Sequence, residues 1–289
     1  VTTTAFLNDT YLPLEEAKIS PMDRGFLFGD GIYEVIPTHS GKPVGLQAHL
    51  ARLANGLAEI NIANPYDNKQ WEEIIVTLVE RNRTAQTGPY IGIYLHVSRG
   101  TVMSRQHAYP QNIPPTVFAY GFALASPPQP DVDKVSPLSV ALEQDLRWER
   151  CHIKSTSLLG NVMHFEQGRM QGKQETILLN ANDEVTEASS CNVFVVKDDI
   201  IYTPPLDNQL LPGITRMLVI ESLSREGMKV KQEVVSKALL LAADEVWLTS
   251  SSKEITPVIS IADQRVGNGK AGPVWAHAIA IFNRHKFSL

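Results

Sequence analysis

Lys154 follows His152 and Ile153 and precedes the hydroxyl run Ser155, Thr156 and Ser157, in a stretch that mixes apolar and basic residues from Trp148 onward. A lysine amine adds to an aldehyde only when it is unprotonated, and partial burial in an electropositive setting favours that form. Most lysines are instead solvated, and a strand-end lysine has that plain alternative. Glu187 lies between two strand-like runs, with Glu184 as a nearby turn acid. A buried carboxylate beside a heteroaromatic nitrogen stabilises the protonated ring and makes it a stronger electron sink. On the surface the same residue does nothing of the kind.

Three further groups suit anions. Leu211, Pro212, Gly213, Ile214, Thr215 and Arg216 read as a turn that opens a helix. Gly213 lets the backbone approach closely, the helix start offers N–H groups and a positive dipole end, and Thr215 adds a hydroxyl. An ordinary helix start has the same composition. Ser250 and Ser251, in a polar loop after a strand, can donate further hydroxyl and amide contacts. Arg52, on an amphipathic helix, can pair with a phosphate through its planar fork or remain a solvated helix-face cation. Arg105 and His107, two apart on a polar loop, can converge on one carboxylate, and Tyr33 can join them; a charged loop tip is the alternative.

These residues need elements to hold them. Strands are expected at Thr4–Asn8 and Tyr11–Leu14 around an Asn8-Asp9 turn, then at Ile32–His39 after a turn-rich loop. Leu46, Leu50, Leu53, Leu57 and Ile60 recur at helical spacing, and a second helix runs from Lys69 to Arg83 with Asp67 or Asn68 as its cap. Tyr90–Ser98 and Thr116–Leu124 are strands around a long loop, Arg99–Pro115. The proline-rich residues 126–133 form a stiff linker. Beyond it come strands at Val135–Leu142, Cys151–Lys154, Thr176–Asn180, Asn192–Val196, Ile200–Thr203, Val230–Val235 and Glu245–Thr249. A helix over Ser157–Met170 is expected to turn Leu158, Val162, Phe165 and Met170 inward, a second follows Thr215, Ser236 caps a short third, and Pro273–Phe282 form a fourth. The domains are therefore 1–125 and 134–289.

At 289 residues, 43% hydrophobic and 20% charged, the chain has the size and composition of a two-domain globular protein. A net charge of −5 argues against nucleic acid or an anionic membrane surface as the main partner. Cys151 and Cys191 are isolated, which argues against a disulfide framework or zinc site; no metal is expected. No stretch has the apolar length of a spanning helix, no secretory leader is evident, and a cytoplasmic location is the expectation.

The order of the motifs resembles the fold-type IV pyridoxal-phosphate enzymes, and within them the D-amino-acid aminotransferases. The resemblance runs from Asp23–Val35 through Ile153–Ser155 and Val185–Phe194 to Gly213–Arg216 and Glu254–Val258. It implies an α+β fold, with a smaller N-terminal α/β domain and a larger strand-rich C-terminal domain. It implies that Lys154 carries pyridoxal 5'-phosphate as a Schiff base and shuttles a proton, with pyridoxamine phosphate as the alternate form. Glu187 would pair with the ring nitrogen and Leu211 would pack near the ring. Arg52, Ile214, Thr215, Ser250 and Ser251 would hold the phosphate. Tyr33, Arg105 and His107 would bind the substrate carboxylate, the last two serving the neighbouring subunit of a homodimer. The implied reaction moves the amino group of a D-amino acid, of the D-alanine and D-glutamate class, to pyruvate or 2-oxoglutarate. The approach to Arg105 is one residue longer than the family pattern, and Cys191 replaces a common serine. Rival activities on the same fold are L-branched-chain or (R)-amine transamination and aminodeoxychorismate lysis; a non-enzymatic anion binder is the rival of another class.

Overall fold

The structure is a computed structural model that describes residues 2–84 and 87–288. It divides into two compact units: Val1–Ser126 with Ile153–Leu158, and Pro127–His152 with Leu159–Leu289. The segment that carries Lys154 thus groups with the first unit, although the sequence reading places it in the domain at 134–289.

In the first unit, β1 (Thr4–Leu7) and β2 (Thr10–Pro13) form a hairpin. Its turn residues Asn8 and Asp9 take φ of 43° and 67°, a region that Asn and Asp tolerate better than other side-chain-bearing residues. The turn-rich stretch that follows contains a helix the sequence did not announce, α1 (Arg24–Phe28), capped by Asp23, which accepts from the Gly25 N–H at 2.8 Å. Then come β3 (Gly31–His39), β4 (Lys42–Pro43), α2 (Leu46–Glu59), α3 (Asn68–Asn82), β5 (Tyr90–Ser98) and β6 (Thr116–Ala123). Asp67 and Gln70 close a reciprocal capping box at the start of α3. The strands make an antiparallel sheet in the order β2-β1-β6-β5-β3-β4. Side-chain alternation along β3 puts Ile32, Glu34 and Ile36 on its fully buried face, while Tyr33 on the other face is half-buried. Ile32 and Ile36 pack with Leu50, Leu53 and Leu57 of α2 and Trp71 and Leu78 of α3.

Lys154 is not delivered by a strand. Cys151 and His152 form a turn, and the chain then runs beside the start of β3 as an irregular tie. Ser155 bridges Ile32. The Tyr33 N–H donates to the Lys154 carbonyl at 3.1 Å and the Thr156 N–H to the Gly31 carbonyl at 2.9 Å. Thr156 Oγ1 and Ser157 Oγ both donate to the Gly29 carbonyl, at 2.9 and 3.1 Å. The hydroxyl residues after the lysine therefore replace the hydrogen bonds that a regular ladder would have supplied.

The second unit carries β7 (Leu138–Gln144), α4 (Leu159–Met170), β8 (Glu175–Leu179), β9 (Val185–Ala188), β10 (Asn192–Lys197), β11 (Ile200–Thr203), α5 (Ile214–Arg225), β12 (Val230–Gln232), α6 (Lys237–Leu241), β13 (Glu245–Ser250), β14 (Glu254–Ile261), β15 (Gln264–Arg265) and α7 (Pro273–His285). Its mixed sheet runs β12-β11-β10-β13-β14-β7-β8-β9, with β15 on β14, and curls so that β9 returns beside β10. Ser236 caps α6, accepting from the Leu239 N–H at 3.1 Å, as its position before the short helix suggests. β14 was not anticipated, nor was β9, so Glu187 stands on a strand rather than between two.

α4 reverses the expected orientation. Val162, Phe165 and Met170 face outward, and the buried residues are His164 and Gly168. A Cβ on Gly168 would run into Thr176 of β8 and would touch Ala141 of β7. The helix thus approaches the sheet closely at Gly168, with its large apolar side chains left outside. Among the described residues no helix is long and apolar enough to cross a membrane.

Candidate active site

The first unit gathers Lys154, Tyr33, Arg52, Arg105 and His107. The Lys154 Nζ lies 4.1 Å from the centroid of the Tyr33 ring, which itself stacks on Tyr94 at 5.9 Å. Among the described residues no carboxylate pairs with this amine. Glu34, in the core below, accepts from Arg52 Nε and Nη2, each at 2.7 Å, and lies 2.7 Å from His49 Nδ1. Burial raises the Glu34 carboxyl, but Arg52 and His49 outweigh it and hold the acid far below the usual range. Burial pushes the His49 imidazole down, against the attraction of Glu34, with Arg52 and Lys154 adding like-charge repulsion. Arg52 is therefore oriented from beneath by a buried acid that no motif singled out.

Arg105 and His107 are exposed and share one aromatic platform: the Arg105 guanidinium lies 5.1 Å from the Phe28 ring centroid and the His107 ring 5.5 Å from it. Their spacing on the loop does bring them together. Tyr33 stands on β3, in register with His96 of β5.

The second unit gathers Glu187, Leu211, Ile214, Thr215, Ser250 and Ser251 around a residue the sequence reading did not weigh, Asn192. Its Nδ2 donates to the Leu211 carbonyl at 2.9 Å and to Glu187 Oε2 at 3.3 Å. The Leu211 N–H donates to the same Glu187 oxygen at 3.0 Å. A Cβ on Gly213 would collide with the Asn192 amide, which is why glycine stands there. Asn192 also registers opposite Thr249 at the end of β13, next to Ser250 and Ser251. One strand end thus ties the acid, the turn at 211–213 and the serine loop together. The first turn of α5 leaves the N–H groups of Ile214 and Thr215 without intrahelical acceptors.

Arg147 is the second residue missed. Its Nη1 donates to Glu187 Oε1 at 2.5 Å, while Nε and Nη2 fork onto Asp145 at 3.0 and 2.7 Å. Burial pushes the Glu187 carboxyl up to about 7, opposed by Arg147 and by the Leu211 N–H. Burial would lower the Arg147 guanidinium, yet its bonds to Asp145 and its attraction to Glu187 hold it above its ordinary range. No local spacing could have paired residues 40 apart in the chain. Cys191, which follows Ser189 and Ser190, is a buried free thiol pushed up to about 12 by burial and by Glu175.

Comparison with known proteins places this architecture. The chain is 36% identical to the D-alanine aminotransferase of Staphylococcus haemolyticus over 98% of both chains. It is 37% identical to the D-alanine aminotransferase of Bacillus licheniformis over 92% of this chain and 91% of the other. Among solved structures, the Escherichia coli branched-chain amino acid aminotransferase superposes with a TM-score of 0.88 at 23% identity, covering 99% of this chain and 95% of that one. The branched-chain aminotransferase of the archaeon Thermoproteus uzoniensis, solved with norvaline, gives a TM-score of 0.85 at 24% identity over 100% of this chain and 96% of that one. These likenesses fix the fold as that of fold-type IV, an α+β architecture. With residues 31–261 matching Amino-transferase class IV, the chain belongs to that family.

Proposed function

We propose that this chain moves the amino group of a D-amino acid, of the D-alanine and D-glutamate class, to a 2-oxo acid such as pyruvate or 2-oxoglutarate, with pyridoxal 5'-phosphate as cofactor. The observation that carries this reading is the Arg105–His107 pair exposed together over Phe28. It stands in a chain more than a third identical to enzymes named for D-alanine. Two adjacent cationic or protonatable side chains suit an α-carboxylate, to which Tyr33 adds a phenol.

The second unit fits the cofactor. Gly213 lets the turn before α5 seat against the Asn192 amide, whose oxygen lies where a Cβ would stand. The hydroxyl of Thr249 is buried beside the serine loop and has no hydrogen-bond partner among the described residues. Glu187 is a buried acid able to face a ring nitrogen. Ile214, Thr215, Ser250 and Ser251, with Arg52 from the first unit, would hold the phosphate, and Leu211 would pack near the ring. Bound there, the cofactor supplies an aldehyde and an electron-withdrawing ring. Lys154 would hold the aldehyde, and its amine would serve as the base that carries the substrate Cα proton. Glu187 would keep a proton on the ring nitrogen. Residues 1–125 would act as a carboxylate-loop domain and 134–289 as a cofactor domain, with 126–133 as linker, in a soluble cytoplasmic enzyme.

The test is the visible spectrum of the cofactor-loaded protein during titration. A yellow band that bleaches with D-alanine and persists with L-leucine is expected. Bleaching by L-leucine alone would move the enzyme to the branched-chain class, and absence of the band after added pyridoxal 5'-phosphate would overturn the reading.

The same proposal includes a homodimer in which Arg105 and His107 serve the neighbouring subunit's site. The outward face of α4 supports it: Leu159, Val162, Met163 and Met170 are 73%, 58%, 56% and 78% exposed, an apolar surface of the kind that a second copy covers. Sedimentation is expected to give twice the 32.0 kDa of the chain. A Val162→Glu, Met163→Glu double variant is expected to sediment as a monomer and lose turnover; an active monomer would refute the sharing of sites.

A further inference from the structure

The loop that carries Arg105 and His107 is exposed, yet its backbone is gripped from below. Arg24, on α1, has a side chain only 4% exposed. Its Nη1 donates to the Gln106 carbonyl at 2.5 Å and its Nη2 to the His107 carbonyl at 3.2 Å. Its Nε donates to Asp30 Oδ2 at 2.7 Å, and its plane lies 4.8 Å from the centroid of Phe28, the ring that Arg105 and His107 also cover. The Arg24 N–H donates in turn to the Gly100 carbonyl at 3.0 Å. One residue therefore reaches both the start and the middle of the loop.

Asp30 completes the grip. It also accepts from Arg99 Nε and Nη2, at 2.8 and 2.9 Å. Arg99 fixes the carbonyls of Ile60 and Asn61 at 2.7 and 3.1 Å and stacks under Tyr109 at 3.5 Å. Burial would raise the Asp30 carboxyl, but the two guanidiniums outweigh it and hold it below its ordinary range. Two buried cations thus share one carboxylate. Because Arg24 binds main-chain oxygens, the side chains of Arg105 and His107 are left outside, and the planar fork sets the direction of the turn between them.

We infer that Arg24 is the positioning residue of the carboxylate trap: it sets the geometry of Arg105 and His107 and so the enzyme's affinity for α-carboxylates. The inference rests on the proposed role of those two side chains. A displacement of about 1 Å in a positioning contact can cost on the order of a hundredfold. In cofactor-loaded Arg24→Met, KM for both D-alanine and pyruvate is therefore expected to rise about ten- to a hundredfold. The yellow band and the melting temperature should stay near wild type and kcat should fall far less than KM rises. Arg24→Lys keeps the charge but cannot fork onto two carbonyls, so its KM should rise as well, with less risk to folding. Wild-type KM in Arg24→Lys, or parallel losses of kcat, band and melting temperature in both variants, would overturn the inference. Arg105→Ala separates it from the reading beneath. A raised KM there with no effect at Arg24 sinks only the positioning role, whereas an unchanged KM in Arg105→Ala removes the trap and the inference with it.

Discussion

Lys154→Ala is expected to cut transamination at least about a thousandfold, since it removes the proposed covalent anchor and general base. The fold should survive. The Lys154 side chain makes no ion pair among the described residues and only borders the Tyr33 ring at 4.1 Å. The tie that seats the segment on β3 is made by main chain and by the hydroxyls of Thr156 and Ser157. An unchanged circular dichroism melt alongside a lost yellow band would separate loss of chemistry from loss of structure. Full activity in this variant would sink the assignment of the lysine. Added methylamine should restore part of the proton transfer, because the substituted site retains room for a small base where the side chain stood.

The second large effect is expected at Arg147, which no local motif singles out. In its proposed role Glu187 must be ionised to favour a protonated ring nitrogen, yet burial pushes its carboxyl up to about 7. Arg147 is the chief group opposing that rise, through a 2.5 Å hydrogen bond to Oε1. A neighbouring arginine lowers a carboxyl by roughly one to three pH units. In Arg147→Met the acid limb of single-turnover rate against pH, with D-alanine, should therefore move up by about that much. Below the limb the variant should be slow, and at high pH it should recover toward wild type. A limb that stays in place would mean that Arg147 does not keep Glu187 ionised.

Protein stability without cofactor carries the same information with a defined sign. The folded chain holds the Glu187 proton more tightly than the unfolded chain does, with about 7 against an ordinary value of 4.5. The stability this group contributes is complete below about pH 4.5 and is lost as pH rises through 7. In Arg147→Met the loss should extend to higher pH, since the folded-state carboxyl is then raised further.

Much of the chemistry was legible along the chain because its cues are local. A glycine before a helix start, a serine pair at a strand end, and an arginine and histidine two apart on a loop keep their meaning wherever the fold places them. The helices at 46–59 and 68–82 and the strand at 90–98 follow from apolar periodicity and a capping box, which depend on near neighbours. The sequence by itself thus determined the candidate lysine, acid, anion turn and carboxylate loop, and the family to which their order pointed. Only the tertiary structure decided what tunes them. Arg147 reaches Glu187 across 40 residues, Asn192 joins Glu187 to the turn at 211–213, Glu34 orients Arg52, and Arg24 grips carbonyls more than 80 positions away. α4 shows the same limit in packing: an apolar stripe reads as a core face, but a glycine that lets the helix sit close to the sheet turned that stripe outward. Side-chain type and spacing encode what a residue can do; the proton affinity of Glu187 and the aim of Arg105 depend on burial and on partners that only chain folding brings within hydrogen-bonding distance.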